Sequence, residues 1–304
     1  MYRARHRTNA LKAWTSQRPA QIAPDDSNVG FTPSCCAPAQ TITARQTIER
    51  IHQHLGVDLP PNTVDTFKAG DPGTQVKAVA VTMMATYDVL QRAAASGANL
   101  VITHEPTFYN HLDDPTELAR RSDPVLRAKQ EFITQHHMVI WRFHDGWHRH
   151  NPDGILLGMT KALGWTSYAS QTDPRLFTLP ATSLRQLAAS AARKLSVQNV
   201  RVVGDPNLQV TRVAMQPGAA GPTRQIPLLE RDDIEALIIG EVPEWETIEY
   251  VADAVSQGKK KALILLGHIP SEQAGMDECV AWLKQFVQEV PVTFVPAREP
   301  FWRP

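Results

Sequence analysis

From residue 41 onward, apolar positions switch between a helical and a continuous pattern, and the switches predict alternating helices and buried strands. Ile48, Ile51 and Leu55 recur at helical spacing across 43–55, with Thr43 placed to cap that helix. An apolar run at 76–83 predicts a strand, 86–96 a helix punctuated by Gly97, and 100–103 the next strand. Such a β-α-β order implies a parallel sheet, because a short crossover through a helix returns the chain in the same direction. The pattern continues with a helix at 123–136, a strand at 138–143 and a helix at 155–163 stopped by Gly164. A middle section follows, with 175–180, a helix at 183–194 and strands at 200–203 and 210–215. A strand at 236–239, a helix at 245–257, a strand at 262–266, a helix at 269–289 and a strand at 292–295 complete the chain. Segments 65–73 and 216–222 read as turn and loop. The fold class expected is α/β.

Composition changes this picture little. A chain of 304 residues holds one large or two moderate domains. Its formal net charge is zero, which argues against a broad electrostatic hold on nucleic acid. No stretch approaches the ~18 apolar residues of a membrane span, so no membrane partner is expected. Cys35, Cys36 and Cys279 are too few for a disulfide framework, and reduced thiols fit a cytoplasmic location. Residues 1–40 stand apart: Arg3, Arg5, Arg7, Lys12 and Arg18 precede a stretch rich in Pro, Ser, Asp and Ala, with no apolar segment of a secretory signal. They read as a disordered tail, or as the product of a start codon placed too early.

Three of the strand ends carry histidine beside an acid or a second histidine. They are Thr103-His104-Glu105-Pro106, His144-Asp145-Gly146-Trp147-His148 and Gly267-His268-Ile269-Pro270-Ser271-Glu272. Ligands commonly gather at the carboxyl ends of parallel strands, so the three clusters support one another. Pro106 keeps Glu105 extended, and Pro270 suits the first turn of a helix that would set His268 and Glu272 on one face. Each cluster has a bland alternative: a buried His104 bonded to a carbonyl, a solvated loop at 144–150, and a helix cap at 268–272. Together they point to a metal site, with more than one divalent ion. Mixed imidazole and carboxylate ligands suit Zn, Fe, Mn or Co.

The order of these segments resembles the dinuclear-metal, hexameric protein family related to NGG-interacting factor three, whose members often carry the label GTP cyclohydrolase 1 type 2. The matching stretches are 64–75, 98–108, 144–164, 213–218, 238–241 and 263–272, together with the ending Arg298-Glu299-Pro300-Phe301. The resemblance implies two α/β lobes with mixed, largely parallel sheets, a metal cleft between them, and a homo-hexamer. The main lobe is expected at 41–168 and 236–304, and the smaller one at 169–235. Family members place two metals on two successive histidines, an aspartate and a final His…Glu pair. Here His104 matches the first histidine and Glu105 replaces the second. His148 occupies the aspartate position, while His268 and Glu272 match unchanged. One swap gains a carboxylate and the other loses one, so ligand charge is kept. Asp145 is the alternative ligand to His148, and His144 lies in the same segment.

Two divalent metals suit hydrolysis of a phosphoester, an amide or a ring C–N bond. The leading expectation is a metal-dependent hydrolase of a small, nucleotide-like substrate. A non-catalytic metal-binding scaffold or adaptor is the competing one. Glu241 matches an acidic family position and reads as a general base, as a group holding a ligand, or as an ordinary exposed acid. Trp147 and Trp245 are candidates for a pocket wall, with core packing as the alternative.

Overall fold

The computed structural model describes residues 41–304. The tail expected at 1–40, with Cys35 and Cys36, lies outside the described residues. Helix α1 (Ala44–Leu55) opens on Thr43, whose side chain accepts from the backbone N–H of Gln46 while the Gln46 side chain bonds back to the backbone N–H of Thr43. Such a capping box contributes about 1 kcal/mol. The chain then forms β1 (Phe67–Ala69), β2 (Val79–Met84), α2 (Tyr87–Ala95) and β3 (Leu100–Glu105). Helices α3 (Thr116–Arg120) and α4 (Pro124–Gln135) lead to β4 (Val139–Arg142), followed by α5 (Asp145–Arg149) and α6 (Gly154–Leu163). Next come β5 (Leu176–Ser183), α7 (Leu184–Lys194), β6 (Arg201–Val203), β7 (Gln209–Gln216), α8 (Pro222–Glu230) and β8 (Ala236–Ile239). After a kink at Glu246, α9 (Glu249–Ser256), β9 (Ala262–Leu265), α10 (His268–Leu283) and β10 (Val292–Phe294) end the chain.

The strands form two five-stranded sheets, ordered β1-β4-β3-β2-β10 and β5-β7-β8-β9-β6. In the first, β4, β3, β2 and β10 run parallel and β1 is an antiparallel edge. In the second, β7, β8 and β9 run parallel between antiparallel β5 and β6. The fold is therefore α/β, as the pattern predicts, with the mixed, largely parallel sheets that the resemblance implies. Strands β3, β4, β8 and β9 are buried along their whole length, which is why they read as unbroken apolar runs.

Helix α10 links the two halves. It begins at the end of β9, packs its Met276, Cys279, Val280 and Leu283 into the core of the first sheet, and lies against α6. That last contact is backbone against backbone: a Cβ on Gly158 would sit 2.3 Å from the Ala274 carbonyl oxygen, and one on Gly275 2.5 Å from Ile155 Cα. The position of α10's first turn is thereby fixed by packing further along the helix.

Several expectations change. Strands β8 and β9 pair with β7, so 236–265 belongs to the second sheet and not with 41–168. The C-terminal share of the first sheet begins only at α10. Nothing in the apolar pattern reveals which parallel neighbour a buried strand takes. Segment 65–73 holds the short edge strand β1 within its turns, and α8 forms despite an internal Pro227. The helix expected to run to residue 289 ends at Leu283. Trp147 is core, packed among Phe143, Trp282 and His150, whereas Trp245 is 79% exposed. Among the described residues no helix is long and apolar enough to cross a membrane.

Candidate metal centre

The carboxyl ends of parallel strands from both sheets converge on one cluster. His104 and Glu105 are the last residues of β3. His144 precedes α5, two residues past the end of β4, and His148 lies within that helix. Glu241 follows β8 by two residues. His268 opens α10 and Glu272 stands one turn along it. The left-handed φ of +90° at Gly267 lets the chain turn from β9 directly into that helix.

Four imidazoles point Nε2 at the cluster, and each has Nδ1 beside an oxygen acceptor. For His104 it is the Phe143 carbonyl at 3.0 Å, for His144 Asp145 Oδ1 at 3.0 Å, for His148 Asp153 Oδ2 at 3.1 Å, and for His268 Glu241 Oε1 at 3.0 Å. With the proton on Nδ1, the Nε2 lone pair is left to bind a cation. This outer hydrogen bond is the one that ligating histidines usually make.

Two carboxylates face those nitrogens. Glu105 Oε1 lies 3.3 Å from His268 Nε2 and 3.6 Å from His144 Nε2. Glu272 Oε2 lies 3.2 Å from His268 Nε2 and 3.7 Å from His104 Nε2, and its Oε1 is 4.0 Å from His148 Nε2. His104 Nε2 and Glu272 Oε2 are fully buried yet make no hydrogen bond of good geometry. Orphaned buried polar atoms are costly, and a cation between them would satisfy both. The residues present therefore fit a metal: His104, His144 and His148 form one group that could hold an ion, and His104, Glu105 and Glu272 another.

Groups around the cluster hold it in shape. Arg142, wholly buried, donates to the carbonyls of His104 and His111 and reaches Glu105 Oε2 at 3.3 Å. Asp65 accepts the backbone N–H groups of His144, Asp145 and Gly146, which fixes the turn into α5. Asp145 is occupied in the same way: it accepts from Thr63 and Val64 as well as lying beside His144. Gly218 leaves room for Glu272, since a Cβ there would come 2.2 Å from Glu272 Oε1.

The charges respond to this crowding. Burial, reinforced by His144 and His148, holds the His104 imidazole well below its usual range and hence neutral. Burial works against a charged His268, but the carboxylates of Glu105, Glu241 and Glu272 around it override that and push the imidazole up to about 12. His148 also rises: burial opposes its charge, but the bond to Asp153 together with the negative charges of Asp153, Glu272 and Glu105 outweighs it. Burial would raise Glu105, yet His268, His144 and Arg142 hold it below the ordinary carboxylate range. Glu241 is lowered chiefly by its bond to His268. In the metal-free protein a proton on His268 thus occupies ground that a cation would take.

Every site residue named from the sequence lies at this cluster, in different positions. His104, Glu105, His144, His148, His268 and Glu272 reach its interior. Asp145 and Glu241 stand behind His144 and His268. Arg142, Asp65 and Asp153 escaped the sequence reading. A charged residue at the end of an apolar strand, as in Trp141-Arg142-Phe143, was the available signal for Arg142.

Comparison with known proteins bears on the fold and the family. The model of the family described as Duf34/NIF3 (NGG1p interacting factor 3) matches residues 63–300. No match is found among curated proteins. Among solved structures, a Bacillus cereus protein related to NIF3 superposes with a TM-score of 0.68 at 13% identity, covering 87% of this chain and 99% of that one. The Staphylococcus aureus protein SA1388 gives 0.67 at 14%, covering 87% and 100%. Reduced HcgD from Methanocaldococcus jannaschii gives 0.61 at 14%, covering 84% and 99%. At such identities the likeness speaks for the fold alone, and it is the family match over most of the chain that identifies it: this protein belongs to the Duf34/NIF3 family.

Proposed function

We propose that the protein binds two divalent ions, of the Zn, Fe, Mn or Co class, and uses them to hydrolyse a small substrate. His104, Glu105, His148, His268 and Glu272 are the ligands, with His144 as a sixth. The observation that carries this reading is the inward convergence of imidazole Nε2 and carboxylate oxygens, two of them buried without a hydrogen bond. Paired divalent ions supply Lewis acidity and make water reactive at neutral pH. The chain's own groups set the conditions for that chemistry. Asp145, Asp153 and Glu241 fix the imidazole tautomers by accepting hydrogen bonds from Nδ1–H. Arg142 orients Glu105 and, with His268 and His144, keeps it ionised. Glu241 acts as a positioning residue through His268 rather than as the general base. A nucleotide-like substrate and a homo-hexamer rest on the family resemblance.

A second reading, a non-catalytic metal-binding scaffold, is favoured by the origin of the ligands: β3 and α5 on one side and α10 on the other, so that a metal would tie the two sheets' edges together. A screen of phosphoesters, amides and ring C–N substrates with metal-reconstituted protein separates the two. Turnover that needs metal and disappears in Glu272→Ala supports the hydrolase. Metal binding that raises the melting temperature without any turnover supports the scaffold.

A further inference from the structure

The ligands of this centre divide unevenly by chemistry. The rings of His104, His144 and His148 are mutual neighbours, with centroids 4.6 to 4.9 Å apart. One ligating nitrogen from each lies within 4.8 Å of the others. On the other side, the carboxylate oxygens of Glu105 and Glu272 converge on a single nitrogen, His268 Nε2, at 3.3 and 3.2 Å.

We propose, resting on the dinuclear reading above, that the two metal positions are chemically unlike: His104, His144 and His148 make an all-imidazole position, and Glu105, His268 and Glu272 a carboxylate-rich one. The first selects a borderline ion of the zinc class and the second a harder ion of the manganese class, since imidazole suits the former and carboxylate the latter.

His104 also stands near Glu105 and Glu272, but one nitrogen serves one ion. Its ring packs with those of His144 and His148, while His268 already supplies an imidazole between the two carboxylates. Glu272 can reach both positions, because its Oε1 approaches His148 Nε2 at 4.0 Å while Oε2 faces His268. Glu105 offers only Oε1, because Arg142 holds its Oε2, and that oxygen lies nearer His268 Nε2, at 3.3 Å, than His144 Nε2, at 3.6 Å. The imidazole position carries no formal charge of its own, and the other carries two negative charges, which widens the difference between them.

Zinc outcompetes manganese at almost any such site, so the test limits zinc to one equivalent per chain in excess manganese. X-ray absorption at the zinc edge of the wild-type protein reads the zinc shell, and electron paramagnetic resonance counts bound manganese. The proposal expects a histidine-dominated zinc shell and one manganese per chain. It expects His144→Ala to lose tight zinc while keeping manganese, and Glu105→Gln to do the reverse. A zinc shell rich in carboxylate oxygen, or variants that lose both ions alike, would overturn the division and leave the dinuclear reading standing. Failure of wild-type protein to bind either metal would overturn both.

Discussion

His104 and Glu105 end a fully buried strand, whereas His268 and Glu272 begin a helix that the chain enters through a single left-handed glycine. The first-sheet half of the centre is locked by groups that take no part in it: Arg142 braces β3 from β4, and Asp65 collects three backbone N–H groups at the turn into α5. The second-sheet half is braced differently. Packing against α6 fixes the axis of α10, but the side chains of His268 and Glu272 are held chiefly by other members of the cluster and by half-exposed Glu241. Folding alone therefore sets one half of the centre, and the protons or cations it holds set the other.

Arg142→Met should break the locked half most severely. It leaves the Glu105 carboxylate and two carbonyls without their donor, and breaking a buried ion pair costs about 3–5 kcal/mol. For a chain of this size that lowers the melting temperature by roughly 10 °C. An unchanged melting temperature in metal-free protein would show that β3 needs no such brace.

Asp65→Ala comes next. It strands three N–H groups, of which only that of Gly146 is fully buried, so the cost should be about 1–3 kcal/mol, and metal binding should loosen through the displaced His144. Calorimetric unfolding and metal titration of one preparation read both effects.

The other half should respond more in affinity than in stability. Glu241→Ala removes the acceptor behind His268, and loss of such a partner weakens metal binding by about 10- to 100-fold. Its metal-free melting temperature should fall less than that of Asp65→Ala, because His268 keeps Glu105 and Glu272 as partners. A stability loss as large as that of Asp65→Ala would erase the contrast between the halves.

Acidity offers the gentlest probe. His104 stays neutral in the fold far below the ordinary histidine value of 6.5, so below that pH the unfolded chain binds the extra proton and stability falls on acidification. His268 does the opposite: its stabilising contribution is complete below 6.5 and is lost as pH rises toward about 12. Each contributes at most about 1.4 kcal/mol per pH unit. From these two groups, metal-free stability should peak near pH 6.5. Metal should remove the alkaline decline, because His268 Nε2 then carries no proton. Denaturant midpoints across pH, with and without metal, check this.

Much of this was legible in the sequence. The buried strands β3, β4, β8 and β9 announce themselves as apolar runs, and Thr43, Thr86 and Ser183 cap helices where the pattern places their starts. The histidine clusters stood out because three strand ends of one chain carry histidine beside an acid or a second histidine. Pairing was not legible: a strand buried on both faces has no side that reveals its neighbour, so β8 and β9 were assigned to the wrong half. Nor was α5, whose Gly146 and run of polar residues suggest a loop until Asp65 gathers its first N–H groups. Gly218 could not be recognised either, since the space it leaves for Glu272 depends on two segments 54 positions apart meeting at one point.

The most direct test of the central claim is metal content by mass spectrometry, comparing wild type with His104→Ala and Glu272→Ala after anaerobic purification and reconstitution. The account predicts two divalent ions per chain in the wild type, fewer in His104→Ala, and the greatest loss in Glu272→Ala, whose carboxylate reaches both positions. A wild-type protein that retains no metal, or a Glu272→Ala variant that retains both ions, would contradict it.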